Sequence, residues 1–132
     1  MTVRPATDDD LPAVATVLDA AMLATEDLRA RVAAGDVLVA VADGRVLGAL
    51  VVEPPAVAPA WARDRGTDAH VAAVAVRRRR RDQGVGSALV AAAAERGRLT
   101  AAFDAELRGF YAGLGFAAAP AGEGRLHGVR EG

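Results

Sequence analysis

The sequence predicts a mixed α/β fold of the α+β kind, and two patterns carry this expectation. His70 to Val76 is a valine-rich run typical of a strand, and after an arginine-loaded turn Gly84 and Gly86 open an alanine-rich run typical of a helix. Asp43-Gly44 lies between two apolar runs, which is a strong signal for a β-hairpin. The chain should therefore combine a strand–loop–helix unit with antiparallel strands.

The first half of the chain offers clear helix and turn signals. Thr7 and the three aspartates after it can cap a helix, Gly35 can end one, and Asp43-Gly44 fits a two-residue hairpin turn. In order, we expect a strand at Val3–Arg4, a helix from Thr7 to about Leu23, a shorter helix from Glu26 to Ala33, and strands at Val37–Ala42 and Val46–Val52.

In the second half, prolines and glycines mark the boundaries. Pro54 and Pro55 end the hairpin, and the stretch from there to Ala69, with the single tryptophan Trp61, is expected to be irregular. The elements expected after it are a strand to Val76, a helix from Ser87 to Glu95, a strand at Leu99–Phe103, a helix from an Asp104 cap to Leu114, and a weak strand at Leu126–Val129.

The composition favours one domain over residues 1–132. A hydrophobic fraction of 52% is enough for a real core, and the formal net charge of -1 gives no global reason to bind nucleic acid or an anionic membrane. Cysteine is absent, which excludes disulfides and thiolate chemistry, and every basic residue is arginine. No leading segment resembles a signal peptide and no apolar run approaches the ~20 residues of a membrane span, so we expect a soluble cytoplasmic protein.

The turn containing Gly84 and Gly86 is suited to bind an anion. Glycine lets the backbone approach a ligand, and the first amides of the following helix have no partners within that helix and add the positive end of its dipole. A nucleoside-triphosphate loop is excluded because it needs a lysine, and a dinucleotide fingerprint is disfavoured because Leu89 stands where its third glycine belongs. A plain structural turn is the alternative for this glycine pair taken alone.

Two segments together resemble the paired signatures of the GNAT superfamily of N-acetyltransferases. The first runs from Ala75-Val76 through Arg81-x-x-Gly84-x-Gly86-Ser-Ala-Leu89, and the second is Phe110-Tyr-Ala-Gly-Leu-Gly-Phe116. They stand in the order and at roughly the separation found in that family. The resemblance extends over residues 3 to 119 as an arrangement of elements and over residues 70 to 116 as motif.

The resemblance implies a fold, a cofactor and the residues that hold it. The sheet would be mixed and mostly antiparallel, with a splayed central parallel strand pair flanked by helices, and the cofactor would be acetyl-CoA. The loop amides would cradle the pyrophosphate of coenzyme A, and main-chain groups of the central strand would pair with its pantetheine arm as an added strand would. The implied cofactor-binding residues are Val74, Ala75, Val76, Arg81, Asp82, Gln83, Gly84, Val85, Gly86, Ser87, Asp104 and Tyr111.

The resemblance also implies an acid catalyst. Tyr111, the only tyrosine, stands where family members often use tyrosine to protonate the departing thiolate, a task suited to a phenol with a pKa of about 10. Its alternative role is a core aromatic at helical spacing. Asp104 stands where the family frequently has asparagine; aspartate lacks the amide donor, and an N-cap role is sufficient for it.

Two residues compete for the role of general base, which is needed because a protonated amine cannot attack a thioester. His70 begins the central strand at a position where some family members carry a catalytic glutamate, and imidazole titrates near the working pH. Glu53 at the end of the hairpin is the rival, and a partly exposed histidine at a strand start is the structural alternative for His70. His127 has no partner motif and stays unassigned, and two separated histidines give no metal site.

The resulting prediction is an acetyl-CoA-dependent N-acetyltransferase that acetylates a primary amine directly, since no cysteine can carry the acetyl group. A non-catalytic acyl-CoA-binding regulatory module is the alternative. The arginine run Arg77–Arg81 does not indicate a nucleic-acid partner, because no aromatic platform interleaves it and the rest of the chain is not basic. The acceptor would be a small-molecule or peptide amine, and the resemblance implies that two copies can pair as a homodimer.

Overall fold

The computed structural model describes residues 1–20, 27–80 and 83–132. Short 3-10 turns join several of its elements. The helices and strands are β1 (Thr2–Pro5), α1 (Leu11–Ala20), α2 (Leu28–Ala33), β2 (Val37–Ala42), β3 (Arg45–Glu53), α3 (Ala60–Asp64), β4 (Ala69–Val76), α4 (Val85–Ala93), β5 (Leu99–Asp104), α5 (Arg108–Gly113), β6 (Ala117–Gly122) and β7 (Arg125–Arg130).

The strands form one seven-stranded sheet in the order β1-β2-β3-β4-β5-β7-β6. Its parallel pair is β4 with β5, in which Ala69 lies opposite Leu99 and His70 opposite Thr100. The pairs β1–β2, β2–β3, β5–β7 and β6–β7 are antiparallel. This confirms the predicted α/β fold, with a mostly antiparallel sheet, a central parallel pair and flanking helices.

By internal contacts the chain divides into two compact units. The first comprises Met1–Val52 and Ala72–Ala92, and the second comprises Glu53–Val71 and Ala93–Gly132. The β2–β3 hairpin of the first unit turns at Asp43 and Gly44, whose φ angles of 52° and 74° suit a tight two-residue turn. The hairpin is therefore confirmed at its predicted position.

The first unit has a core between the sheet and its first two helices. Strand alternation turns Ala49 and Val51 toward this core, and it does the same for Ala73 and Ala75 of β4. From the helices come Val14, Val17, Leu18 and Val32, all buried. His70, Val74 and Val76 alternate with Ala73 and Ala75 and so belong to the other face of β4.

Gly48 in the middle of β3 lets α4 pack closely on the sheet. A Cβ atom at Gly48 would lie 2.9 Å from the carbonyl oxygen of Ala75, 3.0 Å from Val85 and 3.2 Å from Leu89. Only hydrogen fits there, because real Cβ atoms do not approach backbone oxygens so closely. This close approach places the start of α4 beside the end of β4.

The second unit differs from expectation in two places. The stretch after Pro54, predicted to be irregular, contains helix α3 with Trp61. The tail forms a complete hairpin of β6 and β7, whereas only β7 was predicted. Strand β6 was missed because its run of alanines, a proline and a glycine lacks the β-branched and aromatic residues that mark strands.

The remaining predictions hold within a few residues. Helix α1 starts after a 3-10 turn at Asp8–Asp10, and its predicted end near Leu23 lies outside the described residues. The sheet ends at β1 and β6, which carry Pro5 and Pro120. Among the described residues no helix is long and apolar enough to cross a membrane.

Replacing Gly48 by alanine should destabilise the protein by about 1–3 kcal/mol, because the added methyl group must displace α4 or the β4 backbone. Denaturant unfolding would measure the change. Gly109→Ala is the matched control, since a Cβ there meets nothing within 4 Å and alanine favours a helix. Equal unfolding midpoints for Gly48→Ala and the wild type would contradict the close packing of α4.

Candidate functional site

The turn after β4 belongs to the first unit and is anchored by Arg77. Its amide donates to the carbonyl of Leu47 at 2.8 Å, and its Nε donates to the carbonyl of Val46 at 2.6 Å. These bonds hold the end of β4 against β3. The exposed residues Arg78 and Arg79 follow in a 3-10 turn that lies just before the predicted anion-binding loop.

The described part of that loop has the geometry of an anion cradle. Gly84 has a φ of 79°, a conformation that favours glycine, and the space that its side chain would occupy holds no atom within 4 Å. Among residues 83–132, the bond that opens α4 runs from the amide of Ala88 to the carbonyl of Gly84 at 3.0 Å. The amides of Val85, Gly86 and Ser87 precede it and are the donors that a helix start offers to a phosphate.

The loop residues therefore fit the pyrophosphate that the sequence predicts for them. Val85 is buried against the sheet, while Gln83, Gly84 and Ser87 are exposed. Val74 and Ala75 of β4 are buried, and Val76 is half-buried. Arg81 and Asp82 lie outside the described residues. Cofactor binding by this set stays a prediction.

In the second unit, His70 lies in a polar pocket of the sheet interior. Only 6% of the residue is exposed, so the structural alternative of a partly exposed strand-start histidine is wrong. Its Nδ1 atom lies 2.8 Å from Oγ1 of Thr100, and that oxygen lies 2.9 Å from Oγ1 of Thr67. A buried polar group needs such a partner, because losing its hydrogen bond to water costs about 1–3 kcal/mol.

Burial keeps the His70 imidazole neutral. Removal from water lowers its pKa below the ordinary value of 6.5, the negative charge of Glu53 partly offsets this, and His127 lowers the pKa slightly further. A neutral imidazole at neutral pH can accept a proton. His70 and Glu53, the two predicted bases, thus influence each other electrostatically, with the histidine kept in its basic form.

Trp61 and His127 complete the surroundings of His70. The Trp61 and His127 rings are stacked, with centroids 3.7 Å apart and planes 7° from parallel, and the Trp61 and His70 rings meet edge to face at 5.7 Å. Helix α3 supplies the tryptophan and β7 supplies His127, which sequence analysis left unassigned. Thr67 and Thr100 were also missed, although a threonine inside the apolar strand β5 was a usable signal.

Tyr111 lies in a second aromatic cluster of the same unit. Its ring is stacked on Phe103 at 4.0 Å and meets Phe110 and Phe116 edge to face at 5.2 and 5.7 Å. Removal from water raises the pKa of the phenol above 10.0, with a smaller opposing effect of Arg125. Tyr111 is half-buried and holds its proton at neutral pH, as a general acid must.

Asp104 does not act as the predicted helix cap. It occupies the N-cap position before a 3-10 turn at Ala105–Leu107, but its side chain makes no capping bond there. Its carboxylate instead accepts a hydrogen bond from Arg125 at 2.8 Å. The capping prediction is wrong because the β5–β7 pairing places Arg125 directly opposite Asp104, where it offers a charged donor.

Comparison with known families identifies the chain. Residues 5–116 match the profile of the Acetyltransferase (GNAT) family, so the chain belongs to that family. Members of this family use acetyl-CoA, which is the cofactor that membership implies. No curated protein matches the sequence.

Solved structures of acetyltransferases share the fold. Ribosomal-protein-alanine N-acetyltransferase from Brucella melitensis is 22% identical, with a TM-score of 0.73 and 99% of each chain covered. Agmatine N-acetyltransferase is 16% identical, with a TM-score of 0.72 and 98% of each chain covered. N-acetylglutamate synthase from Neisseria gonorrhoeae, complexed with coenzyme A and N-acetyl-glutamate, is 20% identical with a TM-score of 0.73. The alignment covers 98% of this chain but only 34% of that synthase.

The pKa of His70 should lie below 6.5 in a proton NMR titration, and Glu53→Gln should lower it further, because the substitution removes the charge that stabilises imidazolium. The neutral form would then persist to lower pH. Glu106→Gln, which neutralises an exposed acid of the same unit, is the control and should leave the value unchanged. A His70 pKa above 6.5 in the wild type would contradict the effect of burial.

Proposed function

We propose that the chain is an acetyl-CoA-dependent N-acetyltransferase that transfers the acetyl group directly to a primary amine. The observation that carries the proposal is that a buried neutral imidazole and a protonated phenol lie in one compact unit of a GNAT-family chain. A proton acceptor and a proton donor are the two groups that acetyl transfer from a thioester to an amine requires. We also propose that residues 1–132 act as one domain, since the family match runs through both units.

The glycine loop would hold the cofactor. The main-chain amides of Val85, Gly86 and Ser87 would bind its pyrophosphate, together with Gln83, Gly84 and the neighbouring Arg81 and Asp82. Main-chain groups of Val74, Ala75 and Val76 would pair with its pantetheine arm. When bound, acetyl-CoA supplies an acetyl thioester, which is the electrophile of the reaction.

His70 would act as the general base. An ammonium ion cannot attack a carbonyl carbon, so the acceptor must first lose a proton, directly or through a water molecule. Neutral His70 can take that proton, and Glu53 stabilises the imidazolium that results. Glu53 itself is the second candidate base.

Tyr111 would act as the general acid. It would hold a proton ready for the coenzyme A sulfur, which acetyl transfer to an amine releases as a thiolate. The raised pKa of Tyr111 keeps this proton available across the neutral range. Phe103 orients the ring by stacking on it. Asp104, paired with Arg125, would be at most an indirect contributor to cofactor binding.

The acceptor would be a small molecule or a peptide with a primary amine. The structurally similar proteins include enzymes named as N-acetyltransferases of agmatine and of a ribosomal-protein alanine, and a synthase named for N-acetylglutamate. The Trp61–His127 pair next to His70 is a suitable wall for such an acceptor. A panel of amines with acetyl-CoA, followed by mass spectrometry, would identify the product. Saturable coenzyme A binding without any product would instead favour a regulatory binding module.

Tyr111→Phe should lower kcat by about 10² to 10⁴ without weakening coenzyme A binding, because it removes one hydroxyl proton and keeps the aromatic packing. Turnover of the acceptor found in the panel and calorimetry with coenzyme A would measure the two quantities. Phe110→Leu, which alters a neighbouring and more exposed ring, is the control for packing. An unchanged kcat for Tyr111→Phe would remove the phenol from the mechanism.

Gly84→Leu should abolish coenzyme A binding in calorimetry, since a side chain at a φ of 79° strains the loop and fills the proposed phosphate cradle. Gly44→Leu is a matched control, because Gly44 has a φ of 74° and equally open surroundings but lies in the hairpin turn. It should lose a similar amount of stability and still bind the cofactor. Wild-type affinity in Gly84→Leu would disprove the cradle.

A further inference from the structure

Three buried side chains form a line of hydrogen bonds that ends on the backbone. His70 Nδ1 lies 2.8 Å from Thr100 Oγ1, Thr100 Oγ1 lies 2.9 Å from Thr67 Oγ1, and Thr67 Oγ1 lies 2.9 Å from the carbonyl oxygen of Ala69. All four residues are at least nine-tenths buried. Each bond in this line must therefore be a protein–protein bond, with one hydrogen between each pair of heavy atoms.

The carbonyl at the end of the line sets the direction of every bond. The Ala69 carbonyl can only accept, so Thr67 must donate its single hydroxyl hydrogen to it. Thr67 then has no hydrogen left for Thr100, so Thr100 donates to Thr67. Thr100 has likewise used its hydrogen, and its oxygen can only accept from the ring. The hydrogen between His70 and Thr100 is therefore on Nδ1.

A neutral imidazole with its hydrogen on Nδ1 has a bare lone pair on Nε2. Within residues 1–20, 27–80 and 83–132, no side chain or carbonyl hydrogen-bonds to that second nitrogen. We propose that Thr100 and Thr67 are positioning residues that fix His70 as the Nδ1–H tautomer and so present Nε2 as the proton acceptor of the reaction. This rests on the proposed function, in which His70 takes the amine proton.

The strand register keeps the line in place. His70 and Thr100 are directly paired residues of the parallel strands β4 and β5, so their side chains leave the sheet on the same face. Thr67 is held by its own amide, which donates to the carbonyl of Ala62 at 3.1 Å, and Trp61 meets the His70 ring edge to face. Different residues therefore restrain the ring: Trp61 restrains its plane, and Thr100 with Thr67 fixes its tautomer.

Two other titratable groups, Glu53 and His127, act on the charge of His70. Glu53 favours the protonated ring, and His127 opposes it. At a pH above about 8 both histidines are neutral, so the tautomer of His70 can be measured without a contribution from its protonated form. Measurements made there separate the tautomer from the charge.

The test is a long-range proton–nitrogen NMR correlation on the ¹⁵N-labelled full chain at that pH, with His70→Gln identifying the His70 signals. The wild type should show a protonated Nδ1 and a bare Nε2. Thr100→Val should shift the population toward Nε2–H, because Nδ1 loses its acceptor. Thr67→Val should shift it partly, because the Thr100 hydroxyl is then free to donate to Nδ1.

Two variants serve as controls. Thr100→Ser should keep the wild-type tautomer, and so should the remote control Thr16→Val, whose exposed hydroxyl donates to the carbonyl of Pro12.

The same variants test the catalytic consequence with the acceptor found in the amine panel. In metal sites, losing a group that orients a histidine through its other nitrogen lowers metal affinity or activity by about 10- to 100-fold. We expect kcat/KM to fall by a factor of that order in Thr100→Val and to be restored in Thr100→Ser. Because serine keeps the hydroxyl, wild-type activity in Thr100→Ser would attribute the loss in Thr100→Val to the missing hydroxyl.

Two results would overturn the proposal. A wild-type spectrum with Nε2 protonated would show that Thr100 donates to Nδ1 and that the line is broken between Thr100 and Thr67. A folded Thr100→Val variant with a shifted tautomer and undiminished kcat/KM, when His70→Gln is impaired, would remove the positioning role. Undiminished activity in His70→Gln is a different failure, because it would disprove the general base of the proposed function while leaving the NMR assignment intact.

Discussion

The hydrogen bond between His70 and Thr100 connects the register of the sheet with the acid–base role proposed for His70. A polar ring this deeply buried is tolerated only with a partner, and the partner here comes from the neighbouring parallel strand. The parallel register places Thr100 opposite His70, and Thr67 in turn completes the bonding of Thr100. A shift of one residue would turn Thr100 to the other face of the sheet and leave the imidazole without its acceptor.

Features determined by nearby residues could be predicted from the sequence. Asp43-Gly44 predicted the hairpin, because the geometry of a two-residue turn depends on those two residues alone. Gly84 predicted the loop, because a positive φ angle at that position favours glycine. Helix α3 and strand β6 could not be predicted in this way. Both are short, α3 directly follows Pro59 and β6 contains Pro120, and pairing with β7 is what holds β6 in the sheet.

The candidate site shows the same difference between features set by nearby residues and features set by long-range pairing. The resemblance to a family supplied His70, Tyr111 and the glycine loop, because motifs preserve spacing along the chain. Thr100 is 30 residues from His70 and 33 from Thr67, and His127 is also remote from Trp61 along the chain, so no spacing rule connects these contacts. The N-cap expected at Asp104 failed for the same reason, since its competitor Arg125 comes from another strand. Long-range pairing thus determines the immediate surroundings of the catalytic candidates.

The prolines at the two borders of the sheet have a consequence for contacts between copies of the chain. Pro5 in β1 and Pro120 in β6 each lack the N–H group that a further strand would need as a donor. A strand from a second molecule that paired with either edge would therefore lack one hydrogen-bond donor at the proline. The two prolines therefore oppose edge-to-edge association between copies of the chain.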